Sequence, residues 1–161
     1  MTGAIRKPAS VAQYELEVEI DADPDRVWRA MIEEIDAWWL PDFHMVAPGS
    51  TVRFEARAGG GIVEESPDGG SLLWCMVHWI NPAQRTVHLV GHIAPDWGGP
   101  SANHLKFAIE ARGRGSVVRI TDAHFGHVSE PNLASLEQGW AALFRDGLKA
   151  FVEKGTRQSS G

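Results

Sequence analysis

The chain has 161 residues, of which 43% are hydrophobic and 22% are charged, and its formal net charge at neutral pH is −6. This length and apolar share suit a single domain with one core. The acidic balance argues against a nucleic-acid partner, because binding phosphates requires clustered Lys and Arg. No apolar run approaches the ~20 residues needed to cross a bilayer, and the N-terminal segment lacks the apolar core of a secretory signal. We therefore predict a cytoplasmic location and no membrane insertion.

The sequence gives little indication of a metal or cofactor site. Cys75 is the only cysteine, which excludes an internal disulfide and a thiolate zinc site. His88 and His92 would lie ~13 Å apart on a strand, too far for one ion, and His124 and His127 would meet only through a turn. Nucleophile-elbow and phosphate-loop motifs are missing from the sequence. We predict neither a metal nor a cofactor.

The N-terminal third predicts a strand followed by a helix. Residues 11–20 alternate apolar and polar side chains, which is typical of a strand with one solvated face. Asp23 is placed to cap a helix, Pro24 fits its first position, and Asp25 complements the helix dipole. The helix presents an apolar stripe over about three turns, formed by Val27, Trp28, Met31, Ile32 and Ile35.

Residues 50–126 read as strands joined by turns. Asp68 is followed by two glycines, a sequence that favours a tight hairpin turn. The segment PDWGGP at 95–100 is a loop, because its prolines and glycines do not suit a strand. With the first strand these segments give about seven strands, the later ones lying near 52–57, 62–66, 72–80, 85–93, 104–111 and 117–125.

The last element predicted is the longest. Ser129 and Pro131 are suited to open a helix that runs from about residue 132 to residue 154. At 1.5 Å per residue such a helix exceeds 30 Å and must span the sheet. Gly139 and Gly147 each cost ~1 kcal/mol in a helix relative to Ala, and both would let it approach backbone or ligand closely. We expect an ordered core over about 11–154 and flexible tails, including TRQSSG at the C-terminus.

Several local sequences, taken in their order along the chain, resemble the START-like helix-grip (Bet v 1-like, SRPBCC) superfamily. The similarity is greatest to its AHSA-type branch, the homologues of heat-shock chaperone ATPase activators. The matching stretches cover residues 15–154 and include IDADPDRVWRAM, IDAWW, VRFEARAGG, EESPDGGSLLW, WINPAQR, GSVVRITDAHFG and EQGWAALFRDGLKAFVE. The resemblance implies an α+β fold. A curved antiparallel sheet of about seven strands would wrap around the long C-terminal helix, with one or two short helices after the first strand and a cavity between sheet and helix. It does not imply a reaction, because lipid carriers, hormone binders, polyketide cyclases and chaperone activators share this fold.

Two polar residues on the last strand are the main functional candidates. If Val118 and Ile120 face the core, the two-residue period of a strand places Asp122 and His124 on the same face. A carboxylate and an imidazole there are suited to orient one ligand or to transfer a proton. The alternative is that the two groups only satisfy each other's hydrogen-bonding needs. The sequence leaves both interpretations open.

The walls of the cavity are predicted from apolar and aromatic residues. Strand 72–80 is apolar on both faces, and we favour the face with Trp74, Met76 and His78 toward the cavity, with plain core packing as the alternative. His44, His92 and Trp97 are candidates for the cavity mouth, and Trp38 for a lid, a docking patch or a dimer interface. The predicted ligand contacts are Trp39, Phe43, Trp74, Met76, His78, Phe107, Asp122, His124, Trp140 and Phe144.

Three functional hypotheses follow. The favoured one is a protein that binds a hydrophobic or aromatic small molecule, lipid or polyketide-like, and orients its polar end with Asp122 and His124. The second is an enzyme of the cyclase, dehydratase or hydrolase kind that uses the same pair for acid–base catalysis. The third is an interaction module that contacts a chaperone through its surface, and the second and third are both less favoured than ligand binding. Formation of a homodimer is left open.

Overall fold

A computed structural model describes residues 3–154, and the tail predicted to be flexible at 156–161 lies outside the described residues. The strands are β1 Ser10–Ile20, β2 Thr51–Phe54, β3 Gly61–Glu65, β4 Ser71–Asn81, β5 Thr86–Ile93, β6 Ser101–Arg112 and β7 Gly115–Gly126. They form one antiparallel sheet in the order β1-β7-β6-β5-β4-β3-β2. The first strand therefore pairs with the last, and consecutive strands from β2 to β7 are neighbours.

The helices are α1 Pro24–Glu33, α2 Ile35–Trp38 and α3 Glu130–Ala142, and α3 continues through a π-helical segment, Leu143–Lys149, into α4 Ala150–Lys154. The helices α1 and α3 begin after side-chain caps, Asp23 and Ser129, whereas α2 has no side-chain cap. We call the span from α3 to α4 the C-terminal helix. The Asp23 carboxylate accepts hydrogen bonds from the backbone N–H groups of Asp25 and Arg26 at 2.8 and 3.2 Å. The α+β helix-grip prediction is confirmed, and the one or two short helices predicted after β1 are α1 and α2, which are divided at Glu34.

The core lies between the C-terminal helix and the face of the sheet turned toward it, which we call the inner face. α1 covers one end of this face with Val27, Ala30 and Met31, all at most 1% exposed. Burying one large aliphatic or aromatic side chain contributes about 1.5–3 kcal/mol. The C-terminal helix contributes Leu143, Phe144, Leu148 and Phe151 to the same core. No helix among residues 3–154 is long and apolar enough to span a membrane.

Two irregularities in β4 change which of its side chains face inward. The pairing register shifts near Trp74 against β3 and near His78 against β5. An extra residue in one strand interrupts the two-residue alternation of side chains. Cys75 and Val77 are therefore buried, whereas Met76 is 42% exposed and His78 is also exposed. This corrects the prediction that Met76 and His78 share the inner face with Trp74.

The two glycines of the C-terminal helix have different surroundings. A Cβ added to Gly147 would lie 2.5 Å from the backbone oxygen of Trp38, in α2. A Cβ added to Gly139 would lie 3.7 Å from Cε1 of Phe43, an ordinary van der Waals distance. Only Gly147 is therefore required for the helix to approach α2 so closely.

The segment between α2 and β2 is fastened by the buried carboxylate of Glu64, on β3. Its oxygens accept hydrogen bonds from the backbone N–H groups of Met45 and Val46, from the Ser50 hydroxyl at 2.5 Å and from Trp74 Nε1 at 2.9 Å. Burial opposes ionisation, but these hydrogen bonds outweigh it and hold the pKa of Glu64 below its ordinary value. An ionised Glu64 thus fixes residues 45–50 against the sheet.

The glycine contacts give the first prediction. Gly147→Ala should lower the free energy of unfolding by roughly 1–3 kcal/mol, because a new methyl group would overlap backbone that has to move. Gly139→Ala, in the same helix, should instead raise it by up to ~1 kcal/mol, because Ala is the better helix residue. Urea denaturation of both variants checks this. Equal stabilisation by the two substitutions would contradict the close approach at Gly147.

The second prediction concerns acid stability. A pKa held low in the folded state stabilises the protein above the ordinary Glu pKa of about 4.3, and this stabilisation is lost as the pH falls through the folded-state value. Glu64→Gln should therefore lower the free energy of unfolding by about 2–3 kcal/mol at neutral pH, and the difference from wild type should shrink below pH ~4. Glu65→Gln, at an exposed neighbouring position, is the control and should show almost no difference. A difference for Glu64→Gln that does not change with pH would refute the assigned role of its charge.

Candidate functional site

A cavity of about 480 Å³ lies between the inner face of the sheet and the C-terminal helix. Its size is within the range of small-molecule sites. The walls are mainly aromatic and aliphatic, and His92, Asn103, His124 and Ser135 are its polar residues. Among the described residues, no lysine, arginine or carboxylate lines this cavity. It therefore suits a molecule that is mostly apolar.

The mouth of the cavity is formed by apolar side chains that remain open to solvent. Met45, Leu73 and Trp97 line the cavity and are each half-exposed. Met45 belongs to the segment fastened by Glu64, so the buried carboxylate helps to define the opening. Trp97 lies in the loop before β6, as the sequence predicted.

A polar group beside the cavity is built around Asp122, whose side chain has no exposed surface. Its Oδ2 accepts hydrogen bonds from the Tyr14 hydroxyl at 2.6 Å and from His124 Nε2 at 2.7 Å. Its Oδ1 accepts a hydrogen bond from Asn103 Nδ2 at 2.9 Å. Strand register explains the arrangement, because Tyr14 is directly opposite Asp122 and Asn103 is directly opposite His124. We call these four residues the polar cluster.

Tyr14 supports the polar cluster in two ways. Burial, the negative charge of Asp122 and the hydrogen bond to it all raise the pKa of Tyr14, so the hydroxyl stays protonated and donates. The Tyr14 ring also stacks on the imidazole of His124, with 6.3 Å between ring centroids and 18° between the planes. The position of His124 is therefore fixed by both a hydrogen bond and a ring contact.

The hydrogen bonds determine which atoms of the polar cluster can meet a ligand. A carboxylate accepts hydrogen bonds, and in the imidazole tautomer that donates Nε2–H to Asp122, Nδ1 carries a lone pair. Among residues 3–154, the buried side-chain atoms sealed from solvent without a hydrogen bond are Trp39 Nε1 and Arg85 Nε. Within residues 3–154, His124 Nδ1 has no hydrogen-bond partner, and His124 is one of the residues that line the cavity. Chemically, a carboxylate behind an imidazole is also the arrangement that orients a general base.

The predicted ligand contacts fall into three groups in the structure. Phe43, Trp74, His124 and Trp140 line the cavity. Phe107 and Phe144 lie beneath Trp140, with ring centroids 5.6 and 6.0 Å from its own, and Trp39 packs behind Trp74 at 5.2 Å. Asp122 lies behind His124, while Met76 and His78 are on the outer face of the sheet. The first two groups thus form a wall and its support.

The predictions for the cavity mouth have mixed outcomes. His92 and Trp97 line the cavity. His44 instead bonds the Ser50 hydroxyl through Nδ1 at 2.9 Å and lies 3.4 Å from Glu64. Trp38 is 1% exposed, so it belongs to the core and not to a surface patch.

The sequence analysis did not select Tyr14 or Asn103. Tyr14 is the only tyrosine in the chain and falls on the apolar face of the first predicted strand. Asn103 shares the inner-face period with Leu105 and Phe107, but the predicted strand began one residue later. A polar residue within each apolar face was the available signal.

As for metals, no group of three or more His, Cys, Asp or Glu residues in the described part of the chain is placed to hold an ion.

The fold is similar to several solved structures. An uncharacterised protein from Rhizobium leguminosarum has a TM-score of 0.70 and 20% identity, covering 93% of this chain and 99% of that one. Ara h 8.0201 has a TM-score of 0.66 and 15% identity, covering 89% and 98% of the two chains. The Aha1 dimer from Colwellia psychrerythraea has a TM-score of 0.60 and 20% identity, covering 89% and 98%. At these identities the likeness concerns the fold alone.

Sequence comparison gives a more specific assignment. A comparison with curated proteins finds no match. The family model described as "Activator of Hsp90 ATPase homolog 1-like protein" matches residues 21–153, from the end of β1 to α4. This range includes Asn103, Asp122 and His124 of the polar cluster. The chain therefore belongs to the family of activator of Hsp90 ATPase homolog 1-like proteins.

Proposed function

We propose that this protein binds an apolar small molecule, lipid or polyketide-like, in the cavity between the sheet and the C-terminal helix. The observation that carries the proposal is a space of about 480 Å³ with apolar walls and one polar end. Protein interiors are normally packed with few voids larger than a water molecule. A space of this size, open to solvent at one end, therefore favours a site over a packing defect.

The walls account for affinity and the polar cluster for orientation. Each CH₂ group of a ligand transferred from water to the cavity contributes about 0.8 kcal/mol. His124 and Asn103 are the polar wall residues held in place by Asp122. A ligand would accordingly bind with its apolar body along Trp74 and Trp140 and its polar group at His124.

Binding can be tested with N-phenyl-1-naphthylamine, a neutral dye whose fluorescence rises in apolar surroundings. Wild-type protein should enhance its fluorescence saturably. Gly139→Leu places a side chain in the cavity wall next to Phe43 and should weaken binding by about tenfold or more. Gln138→Leu adds the same side chain at an exposed neighbouring position outside the wall and is the matched control. Absence of enhancement with wild type, or equal binding by Gly139→Leu, would overturn the proposal.

An acid–base enzyme is the second candidate, favoured by one observation. His124 lines the cavity while its Nε2 is 2.7 Å from the buried carboxylate of Asp122. This pairing is suited to remove a proton from a bound molecule. The buried, hydrogen-bonded pair meets the geometric requirement for acid–base catalysis. It does not identify a substrate.

The enzyme candidate predicts a large effect of one substitution. If wild type converts any member of a panel of aromatic esters and aryl β-hydroxy ketones, His124→Ala should slow turnover by roughly 10²–10⁴-fold. The effect of His124→Ala on kcat is then compared with its effect on dye affinity, because loss of a base should lower mainly kcat. Turnover of the panel is followed by mass spectrometry. If wild type converts none of the compounds, the result counts against this candidate.

A chaperone-contacting module has less support. That hypothesis expected a surface patch around Trp38 and Trp97, whereas Trp38 is buried and Trp97 lies at the cavity mouth. Formation of a homodimer stays a prediction, for which sedimentation equilibrium is the direct measurement.

A further inference from the structure

We propose that the polar cluster selects ligands by a hydroxyl group, so that the preferred ligand is a neutral apolar molecule with a phenol or alcohol, and a carboxylate of the same size is rejected. This inference rests on the proposed binding function and specifies its ligand. It follows from which hydrogen-bonding atoms Tyr14, Asn103, Asp122 and His124 use among themselves and which they leave to the cavity.

Two atoms that the polar cluster leaves without a hydrogen bond within residues 3–154 are acceptors, and the second N–H of Asn103 Nδ2 is an unused donor. His124 uses Nε2 for Asp122 and keeps the lone pair of Nδ1. The Asp122 carboxylate cannot donate, so Asn103 must turn Nδ2 toward it, as the 2.9 Å contact indicates, and Oδ1 is left as the second acceptor. Asn103 Oδ1, like His124 Nδ1, is not among the sealed, unpartnered atoms of the described chain. The two acceptors belong to directly opposite residues and favour a donor on the ligand. A hydroxyl supplies that donor, and its oxygen can also accept the second N–H of Asn103.

Room for this arrangement is provided by a glycine on the neighbouring strand. Gly91, on β5, is directly opposite Asn103 on β6. A Cβ at Gly91 would lie 2.5 Å from Asn103 Oδ1. The absence of a side chain at position 91 therefore allows Asn103 to hold the orientation in which Oδ1 is the free acceptor.

The charges of the residues around the cavity also favour a neutral hydroxyl over a carboxylate. The walls contributed by residues 3–154 hold no lysine or arginine, and His92 is exposed. A ligand carboxylate at His124 would lie one imidazole ring away from the carboxylate of Asp122. It would lose its hydration and meet a like charge without gaining a cation, which is costly in a buried site. A neutral hydroxyl avoids this cost.

The test compares three naphthalenes of nearly equal size as competitors of N-phenyl-1-naphthylamine at pH 7. They are 2-naphthol, 2-methylnaphthalene and 2-naphthoate, which differ in donating a hydrogen bond, having no polar group, or carrying a charge. 2-Naphthol should displace the dye at a concentration about tenfold lower than 2-methylnaphthalene, and 2-naphthoate should be the weakest competitor. This comparison uses the wild-type chain and does not depend on any variant folding.

Two variants identify the residue that reads the hydroxyl. His124→Phe keeps a ring but removes the acceptor, so the preference for 2-naphthol over 2-methylnaphthalene should fall severalfold. Gln138→Leu, outside the cavity wall, should keep the wild-type ratio. Thermal melting of both variants confirms that they are folded before binding is compared.

The outcomes separate this inference from the function on which it rests. Dye binding with 2-naphthoate competing as well as 2-naphthol, or better, would refute hydroxyl selection and leave the binding function standing. An unchanged preference in a folded His124→Phe would equally overturn the role given to His124. If wild type binds none of the probes, the binding function is lost, and the ligand class proposed here is lost with it.

Discussion

A carboxylate without exposed surface is tolerated in a protein interior only when hydrogen bonds replace the water it has lost, and Asp122 meets this condition with three donors. These donors come from three adjacent strands, Tyr14 on β1, Asn103 on β6 and His124 on β7 itself. Removing one donor would leave part of a buried charge unsatisfied. The Asp122 carboxylate thus joins these three strands through its hydrogen bonds. The same hydrogen bonds fix the position of His124 in the cavity wall.

A second buried carboxylate performs a similar task at the other side of the cavity. Glu64 binds backbone N–H groups of the segment before β2 and also Trp74, a wall residue. The helix is held from the opposite direction by the contact of Gly147 with the backbone of Trp38. These contacts hold the segment before β2 and the C-terminal helix in place on either side of the space of about 480 Å³.

Much of this architecture could be predicted from local patterns. The Asp23 cap, the strand alternation and the long apolar helix are encoded within a few residues each, so the sheet and helix order was correct, as was the inner placement of Asp122 and His124. The face of β4 was not predictable, because both faces are apolar and the register shifts depend on neighbouring strands. Tyr14 and Asn103 were missed for a related reason: their roles arise from pairing with residues 108 and 19 positions away.

The structural and functional interpretations of the Asp122–His124 pair are compatible. Mutual satisfaction and ligand contact are alternatives on the sequence alone, but in the tautomer that donates His124 Nε2–H to Asp122, Nδ1 keeps a lone pair for a further contact. Satisfying the carboxylate therefore sets the chemical character of the site. Under the proposed function, the acceptors that the polar cluster leaves unused, His124 Nδ1 and Asn103 Oδ1, would favour ligands that donate a hydrogen bond.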